Sequence, residues 1–376
     1  MSSRSDPIQS AVDDDDDRDL YDVATWEERT SLDGLAVALH WLFVRGAKLV
    51  VVLLAALILI SIGALGTLSE PPIAFLTLLS AVPALALTGY VWYSDVTTNE
   101  PLSLLVATFL LSVLTATFAA VVNGLAAGLL LPLGGVGLIL FFYLVVGPVE
   151  ETVKLLAVRL YAYTDRRFDA VIDGAVYGAV AGLGFATIEN SLYIARNIDL
   201  GELAVGAGVV GVLGAGEGIV GIRALAGPGH VIYSAYAGYY LGLAKFNPDH
   251  RGPIVIKGLL IAAVIHATYN TTAGPGTALI ETATGLPFLG AFAVFVLIYQ
   301  GFFGGILLGK LWRYRTVYLE TREEATSEET NADGTNADGA NADGTDADGA
   351  NADGTDADGT DAGSETIESE LTEFEE

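Results

Sequence analysis

Two adjacent carboxylates and a lysine stand in the stretch Gly147-Pro148-Val149-Glu150-Glu151-Thr152-Val153-Lys154, between the apolar runs VGLILFFYLVV and LLAVRLYAY. A charged side chain near a bilayer centre costs ~2.5–3.5 kcal/mol on insertion scales, so such residues face a bundle interior or a wet cavity. Few others sit at that depth: Glu189 and Asn190 in GLGFATIENSLYIA, His230 opening HVIYSAYAGYYLG, and His266 and Asn270 in IHATYN. The chain has 4 histidines in all, and His40 and His250 fall at edges or in loops. On a helix Glu150 and Lys154 have the spacing and order of an ion pair, while Glu151 is rotated by about 100° to a neighbouring face. One carboxylate can thus be anchored while the other stays free for chemistry. A purely structural ionic network is the plainer reading of that motif alone. His266 and Asn270 share a helix face and can ligate or hydrogen-bond one object. Imidazole and carboxylate together are the protein ligands of a catalytic zinc, which lowers the pKa of water toward ~7. A glutamate beside it can take the proton and hand it to a leaving amine. The residues do not form the compact H-E-x-x-H pattern, so the ligands must come from separate helices.

The elements that must bring them together are membrane spans. Crossing a ~30 Å hydrocarbon core takes roughly 20 apolar residues in a helix. KLVVVLLAALILISIGALG, PPIAFLTLLSAVPALALTGYVW, PLSLLVATFLLSVLTATFAAVV and LGAFAVFVLIYQGFFGGILLG all qualify, in a chain 52% hydrophobic with mean hydropathy +0.51. The expected fold class is an all-α polytopic membrane protein, a bundle of eight or nine transmembrane helices with disordered acidic tails. Strand-like alternation is missing, which excludes an outer-membrane barrel. No cleaved signal peptide is expected. Without cysteine there is neither a disulfide nor a thiol nucleophile.

Three regions are expected: an acidic cytoplasmic arm over 1–44, a transmembrane domain over 45–315 and an acidic tail over 316–376. Asp+Glu 45 against Lys+Arg 18 gives a net charge of -27, most of it in the tails. Asp13 to Asp17 form one block, and the tail repeats NADGT, NADGA and DADGT, which cannot bury a core. Nucleic acid would be repelled. Acid-rich extramembrane parts would suit a high-salt, halophilic cytoplasm. Lys and Arg cluster at Arg45 and Lys48, at Arg166 and Arg167, at Lys245, Arg251 and Lys257, and at Lys310, Arg313 and Arg315. All are cytoplasmic by the positive-inside rule only if the Gly-rich piece LAVGAGVVGVLGAGEGIVGI is re-entrant or interfacial. That reading gives eight spans in the cytoplasmic membrane with both tails cytoplasmic.

EETVK, DGAVYGAVAGLGFATIEN, GPGHVIYSAYAGYYLG and IHATYN resemble, in that order, the motifs of the PrsW family of intramembrane metalloproteases, relatives of the CAAX-prenyl protease and bacteriocin-processing proteins. The resemblance is close over 136–270. It implies that Glu150 and Glu151 are paired catalytic glutamates, one activating water and the other binding metal or orienting the site. It implies that His230 and His266 are ligands of a divalent metal, zinc by preference. Glu189 would lie at that metal or beside it, where the prenyl-protease relatives carry histidine, and Asn270 would stabilise the oxyanion or complete the metal shell. Lys154, Asp173, Asn190 and Arg223 would be supporting positions, with helix-end capping the competing role. The implied activity is metal-dependent endoproteolysis of membrane proteins, an anti-sigma-factor-like substrate among them. The reading from another class is a proton- or cation-coupled transporter with Glu, His and Lys as a relay; a scaffold binding a transmembrane partner, with Gly178, Gly182 and Gly184 for close packing, is a third. A transporter should show matched interrupted helices in two halves, whereas the polar residues all fall in the second half.

Overall fold

The computed structural model describes residues 26–338 except 62, 64–65, 67–68, 98–99 and 199–207, together with Asp19 and Tyr21. The described chain is all helical, without strands: α1 Ser31–Ser61, α2 Pro71–Tyr93, α3 Leu102–Leu130, α4 Gly134–Leu140, α5 Gly147–Leu160, α6 Val171–Asn197, α7 Gly208–Lys245, α8 Arg251–Thr284 and α9 Phe288–Asp338. Six helical stretches are long and apolar enough to cross a membrane: Ser31–Ser61, Pro71–Tyr93, Leu102–Thr164, Val171–Asn197, Pro248–Thr284 and Phe288–Glu324. Apolar side chains such as Leu53, Leu57, Leu78, Leu85, Leu129 and Leu297 point outward. Exposed leucines in such numbers need lipid around them.

α1 begins well before the expected domain start at 45. Thr30 and Asp33 cap it reciprocally, with Thr30 N–H donating to Asp33 Oδ2 at 2.7 Å and Asp33 N–H to Thr30 Oγ1 at 3.2 Å. At the other end α9 runs past Arg315 to Asp338, so the tail is helical that far rather than disordered from 316. A compact unit covers Met1–Glu320 and a second covers Thr321–Glu376. The Asp13 to Asp17 block and the repeats after Asp338 lie outside the described residues.

The Gly-rich piece is not a separate re-entrant segment. From Gly208 it is helical and continuous with HVIYSAYAGYYLG as α7. Tertiary packing overrides the poor helix propensity of its glycines.

α6 is the central helix, buried along nearly its whole length against α7. Gly174, Gly178 and Gly182 recur every fourth residue and so share one face. A Cβ there would lie 2.2 Å from Gly238 O, 2.3 Å from Ser234 O and 2.4 Å from His230 O, respectively. The two backbones therefore meet directly, as small-residue seams allow in membranes. α3 and α5 lie antiparallel: Thr115 Oγ1 donates to Val153 O and Asn123 Nδ2 to a Glu150 oxygen. Between α4 and α5 the residues Phe141–Val146 form a widened π-helical turn, in which Gly147 N–H donates to Phe142 O. It ends beside Pro148, whose ring an ordinary turn would press against the carbonyl four residues back. The Glu150-Glu151 pair thus enters the bundle one turn after a backbone irregularity.

Candidate active site

Four helices deliver the site. α5 carries Glu150, Glu151 and Lys154, α6 carries Glu189 and Asn190, α7 carries Arg223 and His230, and α8 carries His266 and Asn270. Glu151 and Lys154 are fully buried, and Glu150, His230 and His266 nearly so.

Lys154 sits between the two glutamates and closer to Glu151. Its Nζ lies 2.7 Å from Glu151 Oε1, three residues away, and 3.9 Å from Glu150 Oε2. The expected pairing of Glu150 with Lys154 is thus present at the longer distance, with Glu151 the nearer partner. The reason lies on other helices: His266 Nδ1 is 2.9 Å from the same Glu151 oxygen, Ser234 Oγ donates to Glu151 Oε2 at 3.3 Å, and His230 Nδ1 is 3.0 Å from Lys154 Nζ. Only Glu151 sits where these groups converge. Lys154 Nζ also stands 4.2 Å from the centroid of the Phe185 ring, whose face attracts the cation.

Glu150 keeps the freer carboxylate. Asn123 Nδ2 donates to its Oε1 at 3.0 Å, while Oε2 is buried without a hydrogen-bond partner. That orphaned oxygen is 3.7 Å from His266 Nε2. His266 thus reaches Glu151 through Nδ1 and turns Nε2 toward Glu150. A carboxylate behind a histidine is the support that orients imidazole ligands on metals. One donor atom each from Glu150, His230 and His266 can be chosen so that all lie within 4.8 Å of one another. A buried, anionic set with an unpartnered oxygen and an aimed imidazole fits a divalent cation.

Glu189 lies at the edge of this group, not within it. His230 Nε2 is 3.0 Å from its Oε2, and Arg223 pairs with the same oxygen. Arg223 Nε also donates to Asn190 Oδ1 at 2.7 Å, and Asn190 Nδ2 to Ser80 Oγ at 2.9 Å. Arg223 thus holds Glu189 from behind and is itself held by Asn190. Asp173 does not belong here. It sits in the first turn of α6, about 24 Å along the helix from Glu189 at 1.5 Å per residue, where its Oδ2 accepts from the N–H groups of Asp169 and Ala170.

A cavity of ≈ 430 Å³ opens onto these groups, with Glu150, Glu189, Arg223, His230, His266 and Asn270 in its wall. Asn123, Ser234, Tyr233 and Tyr269 were not singled out by the sequence reading. Asn123 alone left a signal, an amide inside the apolar run of α3.

The family model described as "PrsW family intramembrane metalloprotease" matches residues 100–299, reaching beyond the 136–270 core on both sides. Among curated proteins, Protease PrsW of Bacillus subtilis is 30% identical over 192 residues, 50% of this chain and 78% of that protein. Protease PrsW of Shouchella clausii is 26% identical over 196 residues, 52% and 81% of the two chains. Protease PrsW of Clostridioides difficile is 28% identical over 200 residues, covering 52% and 77%. No solved structure matches. With 100–299 amounting to more than half of the 376 residues, and with apolar helices around a buried Glu-His cavity, the chain belongs to the PrsW family of intramembrane metalloproteases and is a membrane-embedded peptide hydrolase.

Proposed function

We propose that His230 and His266 hold the divalent metal, zinc by preference, with Glu150 beside it as the general base, and that the substrates are membrane proteins, an anti-sigma-factor-like protein among them. The observation that carries this reading is the orphaned, buried Oε2 of Glu150, 3.7 Å from His266 Nε2. When bound, the metal would polarise the scissile carbonyl and lower the pKa of water.

The remaining work falls to the chain's own groups. Glu151 accepts from Lys154, His266 and Ser234, so both its oxygens are committed and it positions the imidazole. The proton from water goes to Glu150 Oε2, the uncommitted oxygen, and from there to the leaving amine. Asn270, in the cavity wall one helical turn from His266, is placed to donate to the oxyanion. Glu189 and Arg223 fix His230 from Nε2. The convergence of these groups on one cavity favours hydrolysis over a transport relay.

Eight crossings support this reading better than nine. α3 and the α4–α5 segment run antiparallel, and the Gly-rich piece continues into α7. Lys245 Nζ donates to Tyr163 O and Phe168 O, which puts the end of α7 on the same face as Arg166 and Arg167. The positive-inside rule makes that face cytoplasmic, and both tails with it.

The test is metal content and cleavage together. Purified protein should carry about one equivalent of zinc or another divalent transition metal, lost in His230→Ala and in His266→Ala, along with cleavage of a membrane-anchored reporter. A folded, metal-free wild type that still cleaves would overturn the proposal.

A further inference from the structure

A second buried carboxylate group lies at the other end of α6, where the turn between α2 and α3 meets the first turn of α6. Asp95, Glu100 and Asp173 each offer an oxygen such that the three lie within 4.8 Å of one another. Glu100 and Asp173 are 5% and 0% exposed.

Each acid is held by one oxygen and leaves the other unused. Asp95 Oδ1 accepts from Thr97 N–H at 2.9 Å and from Thr97 Oγ1 at 2.8 Å, and its Oδ2 is orphaned. Glu100 Oε2 accepts from the Tyr177 hydroxyl, and its Oε1 is orphaned. Asp173 Oδ2 accepts from Asp169 and Ala170 N–H groups, and its Oδ1 is orphaned. Three buried carboxylate oxygens without donors among the described residues are costly unless something positive joins them. The basic side chains nearby are spent elsewhere. Lys245 Nζ donates to the carbonyls of Tyr163, Asp165 and Phe168, and Arg167 pairs with Asp165.

We propose that Asp95, Glu100 and Asp173 form a second cation site, distinct from the catalytic one, that takes a hard divalent ion of the calcium class. Oxygen-only donors with no imidazole select hard cations. The site would tie the α2–α3 turn to the start of α6, the helix that carries Glu189 at its far end.

The experiment is a Tb³⁺ titration of the full chain in detergent at 0.3 M KCl, excited through tyrosine, with Ca²⁺ as competitor. Tyr177, whose hydroxyl rests on Glu100, is the antenna. Residues 325–376 contain neither Tyr nor Trp, so ions condensed on the tail stay dark. A saturable emission of one equivalent is expected. Ca²⁺ should displace it, Glu100→Gln and the milder Asp95→Asn should each weaken it at least tenfold, and Glu150→Gln should leave it unchanged. No saturable emission in the wild type, or emission unaltered in both Glu100→Gln and Asp95→Asn, would overturn the site. Loss in Glu150→Gln alone would assign the ion to the catalytic group and equally overturn it.

Discussion

Two groups of buried acids flank α6 and are neutralised by different means. At one end Glu150, Glu151 and Glu189 are matched by Lys154 and Arg223, with two imidazoles between them. At the other, Asp95, Glu100 and Asp173 meet hydroxyl and backbone donors but, among the described residues, no ion-paired base. Cationic side chains hold the first group's geometry. The second needs a proton or a metal ion to complete it. A site that must act on substrate keeps one uncommitted oxygen, on Glu150; a site that must be filled keeps three.

The sharpest way to break this comparison is at Glu150 itself. Glu150→Gln should lower cleavage by ~10²–10⁴-fold, the usual worth of a positioned acid–base group, while the melting temperature moves little. A comparable loss of stability would mean that Glu150 is structural like Glu151. Lys154→Met comes next. It strands a fully buried Glu151, and removing one partner of such a pair costs ~3–5 kcal/mol, measurable by chemical denaturation in detergent. If the variant is as stable as the wild type, the ionic frame is not what holds this end of the bundle. Asn123→Ala removes the donor to Glu150 Oε1 and should cost ~1.5–3 kcal/mol as a hydrogen bond to a charged group, with a weaker effect on cleavage than Glu150→Gln.

A separate effect should appear as a pH slope from the second group. In chelator, Glu100 binds its proton up to about 8 when folded and only to about 4.5 when unfolded. Between those values the folded state holds more protons, so stability falls as pH rises from 5 to 8. Asp95, Asp169, Asp173 and Lys245 are the charged groups that face it. Glu100→Gln should flatten the slope, and Ca²⁺ should restore the wild type above pH 8. An unchanged slope in Glu100→Gln would place the proton on another member of the group.

Much of this was legible in the residues and some was not, for physical reasons. The apolar runs announce helices in lipid because their length matches the hydrocarbon core. Glu150, His230, His266 and Glu189 stand out because charge is scarce at that depth. Which glutamate Lys154 takes was not legible: spacings of three and four both place the partners together, and the choice is made by His266, Ser234 and His230 from other helices. The start of α1 was legible in principle, since Thr30 and Asp33 have capping-box spacing, but the acidic surroundings masked it. Asp95 and Glu100 read as ordinary loop charges, because nothing local tells that α6 covers them. The continuity of α7 through its glycines came from packing against α2 and α6, which no local preference encodes.

The glycine seam between α6 and α7 also limits where the cavity can widen. Where backbones touch, no side chain can rotate aside and no intermediate spacing exists, so that wall cannot serve as a door. The opposite wall is built differently. There Ala120, Gly124, Leu192 and Arg196 line a recess between α3 and the end of α6 that shares these residues with the catalytic cavity, so any widening of the cavity has this side to use and not the seam.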